Sequence, residues 1–120
     1  MKGRPMQYFI YFTVDPDRPM TPPTPEGMAE MSQFMQDSMA QGIVVSTGQL
    51  GRTTTHITLD DGEISVTDGP FLESKELIPG YTVIEVASKQ AAIEWASRLR
   101  RCMGNGTLRM SAVSLGRAET

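Results

Sequence analysis

The chain has 120 residues, 39% hydrophobic and 21% charged, with a formal net charge of −3, the composition of one ordinary globular domain whose core runs from about residue 7 to residue 115. The acidic balance excludes a nucleic-acid partner, which would be held chiefly by Lys and Arg on phosphates, and no apolar run approaches the roughly 20 residues of a membrane span. One cysteine, Cys102, and one histidine, His56, exclude an internal disulfide and a Cys-rich zinc site, and with no apolar leader after Met1 the expectation is a cytoplasmic protein.

Gln7 to Val14 reads as the first strand. Tyr8, Phe9, Ile10, Tyr11 and Phe12 are consecutive β-formers without polar alternation, so both faces should be covered, as in a central strand. The proline-rich run from Asp15 to Pro25 is a loop. A helix then starts at Thr24-Pro25-Glu26, with Thr24 as cap, Pro25 at the first helical position and Glu26 at the positive end of the dipole. Met28, Met31, Met35 and Met39 fall on one stripe, expected to face the core. Gly42 should end the helix in the left-handed conformation.

Ile43-Val44-Val45 opens a second extended segment, broken from Gly48 to Gly51. Thr54 to Leu59 and Glu63 to Thr67 flank Asp61-Gly62, the signature of a type I′ hairpin. A two-residue loop opposes Leu59 to Ile64, Ile57 to Val66 and His56 to Thr67. One face then carries Thr55, Ile57, Leu59, Ile64, Val66 and Asp68; the other carries Thr54, His56, Thr58, Ser65 and Thr67. Tyr81 to Val86 is the next strand, with Ile84 and Val86 on one side and Tyr81, Val83 and Glu85 on the other. Ser88 caps a second helix to about Met103, whose inner side is Ala92, Trp95, Ala96, Leu99 and Met103. Arg98, Arg100 and Arg101 complement its negative end. Thr107 to Leu115 is the last strand, and the final five residues form a loose tail.

The order β, α, β, β-hairpin, β, α, β predicts a ferredoxin-like α+β sandwich with an extra hairpin and both helices on one sheet face. The other face is partly apolar, through Tyr81, Val83 and the first strand. The expected cover is a second copy in a two-fold homodimer.

The densest cluster of special residues is Asp68-Gly69-Pro70-Phe71-Leu72-Glu73-Ser74-Lys75-Glu76. Here the chain resembles the DGPF-type branch of the YCII-related family, whose pattern is a strand, Thr-Asp-Gly-Pro-Phe, Glu-(Ser/Thr)-Lys-Glu, then a Gly-Tyr/Phe-aliphatic strand. Val66 to Val86 follows that pattern throughout. From the aromatic first strand through Glu94-Trp95-Ala96 to the last strand the match is in pattern only. The resemblance implies a dimeric α+β barrel and a poorly defined function. It also implies a His–Asp pair, proposed in the shorter branch, and for some members a regulatory setting beside extracytoplasmic-function sigma factors. In the hairpin register expected here, His56 and Asp68 lie on opposite faces, which argues against a dyad within one subunit.

Asp68 is the candidate catalytic residue. At the end of an apolar hairpin face its carboxylate would leave bulk water, and desolvation would favour the protonated form suited to acid–base work near neutrality. The competing reading is a turn-fixing carboxylate that accepts a backbone N–H. Lys75, Phe71, Glu85 and Tyr81 are the candidate substrate-binding residues. Lys75 could neutralise Asp68 or meet a substrate carboxylate, or form a solvated ion pair. Phe71 could stack on a ligand or plug the core. Glu85 would be a charge on the partner-facing side of the sheet, needing a partner if buried.

No flavin, nucleotide or metal motif is visible. The expectation is therefore a cofactor-independent lyase or isomerase acting on a small organic molecule through Asp68. The alternative is a non-catalytic ligand-binding or regulatory protein using the same cleft. Haem-dependent or cofactor-free oxygenation ranks last, because His56 on a polar face is a poor axial ligand.

Overall fold

The computed structural model describes residues 5–12, 24–50, 54–69 and 80–114. Its elements are β1 (Met6–Phe12), α1 (Pro25–Ala40), β2 (Val44–Gln49), β3 (Thr55–Asp60), β4 (Glu63–Asp68), β5 (Gly80–Val86), α2 (Lys89–Met103) and β6 (Arg109–Val113). β2, β5, β1 and β6 form one sheet in that order, and β3 and β4 form a second, two-stranded sheet. Every neighbouring pair is antiparallel. The crossovers β1–α1–β2 and β5–α2–β6 each skip the strand lying between their ends. That is the ferredoxin-like arrangement, with the hairpin inserted between its second and third strands.

Local chemistry places the helix ends as expected. Gly27 N–H donates to Thr24 Oγ1 at 3.0 Å, and Ala91 N–H to Ser88 Oγ at 3.1 Å, each satisfying one orphan donor of a first turn. Gly42 has φ +78°, the left-handed value that stops α1. No helix of the described residues is long and apolar enough to cross a membrane.

Alternation along the strands decides what faces the helices. Tyr8 and Ile10 of β1 and Ile84 of β5 are buried, together with Phe34 of α1 and Ala92, Trp95 and Leu99 of α2. Burying each large side chain contributes about 1.5–3 kcal/mol. Phe34 and Trp95 meet with ring centroids 5.0 Å apart. The Trp95 indole N–H donates to Ser38 Oγ at 2.9 Å, and Ser38 is itself 3% exposed. The α1 methionine stripe is therefore off-centre. Phe34 and Ser38 are its buried residues, Met31 and Met35 pack partly against the core, and Met28 and Met39 stand out in solvent. α2 buries the side expected of it.

The hairpin behaves differently. Asp61 and Gly62 have φ +50° and +82°, the two positive values that a type I′ turn requires. The register pairs Leu59 with Ile64, Ile57 with Val66 and His56 with Thr67, as the alternation predicts. Yet β3 and β4 pack on none of the other elements. Ile57, Leu59, Ile64 and Val66 are 61–70% exposed in the single chain.

Candidate functional site

Asp68 ends β4 opposite Thr55, whose hydroxyl donates to Asp68 Oδ1 at 2.6 Å. The Gly69 N–H donates to Thr54 O at 2.8 Å and closes the base of the hairpin. Side chains alternate along the ladder, so Asp68 shares its face with Val66 and Ile57, and His56 stands on the other. The expected loss of bulk water does not occur within the protomer. Asp68 is exposed, because no other described element packs over the apolar face beside it. Phe71 and Lys75 lie outside the described residues, as do Arg52, the loop over 13–23 and the tail over 115–120.

Tyr81 and Glu85 lie on the sheet face away from the helices. Strand pairing sets them in rows: Arg109, Tyr11, Tyr81 and Gly48; Ser111, Phe9, Val83 and Ser46; Val113, Gln7 and Glu85. Phe9 stacks on Tyr81 at 5.7 Å and tilts against Tyr11 at 5.3 Å. A Cβ on Gly48 would come within 3.0 Å of the Tyr81 hydroxyl, so Gly48 lets that ring lie flat across the sheet. Glu85 is half-buried rather than buried, and its strand partner is the amide residue Gln7. It does not demand a buried cation.

A third feature was not visible in the sequence. A cavity of about 420 Å³ opens between the sheet and the helices, at the margin where β1 and β2 end and β5 begins. Ile10 and Phe12 come from β1, Met31 and Met35 from α1, Leu99 and Met103 from α2, and Leu108 from the approach to β6. Thr47, Gln49, Thr82 and Ser32 supply its polar groups. Gly80 lines the mouth, and a Cβ there would stand 2.7 Å from the Phe12 ring, a clash that keeps the residue a glycine. The volume falls within the roughly 300–1,000 Å³ typical of small-molecule sites.

The hydroxyls inside it have a defined direction. Thr47 Oγ1 donates to Tyr81 O at 3.0 Å and lies 3.1 Å from Thr82 Oγ1. A hydroxyl carries one hydrogen, so Thr82 is the donor in that second contact. Thr82 Oγ1, on a residue 6% exposed, keeps acceptor capacity. The site therefore presents a largely apolar wall and one buried acceptor.

The arginines have structural duties. Arg100 Nε donates to Gly104 O at 2.8 Å and caps the end of α2. Its burial pulls its pKa below the ordinary arginine value, without neutralising so strong a base. Arg98 lies 4.6 Å over the Phe34 ring, a cation–π contact.

The structure thus separates Asp68, on the hairpin, from Tyr81 and Glu85, on the four-stranded sheet. Sequence reasoning missed Thr82, Thr47 and the methionine wall. Their one sequence signal is a threonine among apolar residues on the inward side of β5.

A protein-family model described as the YCII-related domain matches residues 6–110. No curated protein matches the chain. Among solved structures, the periplasmic divalent cation tolerance protein CutA from Archaeoglobus fulgidus aligns over 95% of this chain and 88% of its own, at 12% identity and a TM-score of 0.37, too loose a likeness to bear on function.

Proposed function

As the chain belongs to the YCII-related family, we propose that it is a homodimeric small-molecule-binding protein of the DGPF-type branch. Its ligand occupies the cavity between the helices and the Gly80 margin of the sheet. The observation that carries this reading is the cavity itself, about 420 Å³ with a largely apolar lining and one buried acceptor at Thr82. The matching ligand is a small apolar or aromatic molecule with a single hydroxyl or amine donor. A second copy covers the open sheet face around Phe9, Tyr11 and Tyr81, and a regulatory role follows if ligand and dimer are coupled.

Titration with 2-naphthol and 2-methylnaphthalene tests the pocket. Binding to the folded state stabilises it by mass action, by roughly 2.7 kcal/mol at a hundredfold excess over Kd, and so raises the melting temperature. Thr82→Val removes the acceptor, so 2-naphthol should lose about tenfold in affinity while 2-methylnaphthalene is unchanged. Met35→Trp, which fills the cavity, should abolish both. If neither compound, nor any fragment of that size, shifts the wild-type melting curve, the cavity reading is wrong.

A catalytic reading keeps Asp68 as a general acid or base. Support comes from its short hydrogen bond to Thr55 and from its place on the chain just before the segment leading to Gly80. Asp68→Asn should then abolish turnover of a bound ligand and leave the affinity for it intact. Equal loss of binding and stability would instead assign Asp68 to the hairpin base.

A further inference from the structure

We infer that the β3–β4 arm of each protomer lies on the open sheet face of a second copy, apolar side down and acidic tip against Arg109. This rests on the homodimer reading above and adds which part of each copy supplies the cover. Three observations carry it.

Among the described residues no other element packs on the arm, although its apolar face is continuous along both strands. An isolated two-stranded hairpin is marginal in water, so this arm needs an outside layer. The open sheet face is the matching surface, because Phe9, Tyr11, Tyr81 and Val83 stand on the side away from both helices.

Charge selects the orientation. Asp60 and Glu63 sit directly opposite in the ladder, with Asp61 between them in the turn. Like charges so placed repel unless a cation is near. Among the described residues none of the three has a cationic partner, and Arg109 has no acidic one. Arg109 lies beside Tyr11 on the open face.

Symmetry closes the argument. Each copy offers one arm and one face, so a two-fold pair makes the contact twice and leaves neither surface open.

Sedimentation at micromolar concentration supplies the test. Wild type should sediment at about twice the 13.2 kDa chain mass. Ile57→Asp with Val66→Asp should weaken dimerisation at least tenfold with circular dichroism unchanged, because both side chains face solvent in the single chain. Two charge reversals sharpen the result. A chain with Asp60→Arg and Glu63→Arg, and a chain with Arg109→Glu, should each dimerise poorly. Mixed, they should recover most of the wild-type affinity, since both contacts in the heterodimer are again between opposite charges. A wild-type monomer sinks this inference together with the homodimer reading. A wild-type dimer that the arm and charge variants leave as tight overturns the arm assignment and spares the dimer.

Discussion

The two β-sheets of this protein have similar raw material and opposite fates. β5 and β4 each set β-branched apolar residues on one face, Ile84 and Val86 in β5 and Ile64 and Val66 in β4. In β5 the inward residue Ile84 is fully buried; in β4 the equivalent Val66 is 62% exposed. The difference lies outside the strands. β5 has α2 packed against it, and the hairpin has no element over its apolar face. Alternation specifies which face is to be buried, and a second layer determines whether it is.

The largest effect that would break this contrast is in the core. Trp95→Ala should cost about 3–5 kcal/mol, since it empties a packed site and removes the donor held by Ser38. Leu59→Ala, an apolar truncation on the arm, should cost under about 0.5 kcal/mol in a dilute, monomeric sample. Urea unfolding of both variants checks the ratio. If Leu59→Ala proves as costly as a core truncation under those conditions, the arm is packed within its own protomer and the contrast fails.

Ser38→Ala should follow, at about 1–3 kcal/mol. It deletes almost no volume but leaves the Trp95 indole N–H buried without an acceptor. Ser38→Cys, a weaker acceptor of similar size, should fall between. Gly80→Ala is next, at about 1–3 kcal/mol, because its Cβ would force the Phe12 ring aside. The same change narrows the cavity mouth, so naphthalene-type ligands should lose affinity in parallel, which thermal shift would read. Thr82→Val follows, near 1 kcal/mol, since the Thr47 hydroxyl keeps its bond to Tyr81 O.

The fold was largely legible along the chain. Thr24 and Ser88 cap, Gly42 terminates, and Asp61-Gly62 sets the hairpin register, because each acts through bonds or dihedrals within a few residues. The α1 stripe was legible in period but not in centre. Four methionines mark a face of the helix, and only contact with Trp95 shows that Phe34 and Ser38 lie at its middle. The cavity was not legible. Its walls come from both helices, three strands and the approach to β6, and no short-range pattern relates Met31 to Thr82 or to Leu108.

The expected desolvation of Asp68 is not met within the single chain. Its face was read correctly from the alternation, and its burial was inferred from the company it keeps. Company on one strand pair does not exclude water; an opposing layer does. Sequence by itself determined the order of elements, the capping residues, the turn and the side of each strand that Asp68, His56, Tyr81 and Glu85 occupy, all consequences of local geometry. Tertiary structure alone decided that the helices leave a cavity around Thr82, that Trp95 needs Ser38, and that the hairpin packs on none of the other described elements. Those depend on which distant surfaces meet, and burial is a property of the meeting.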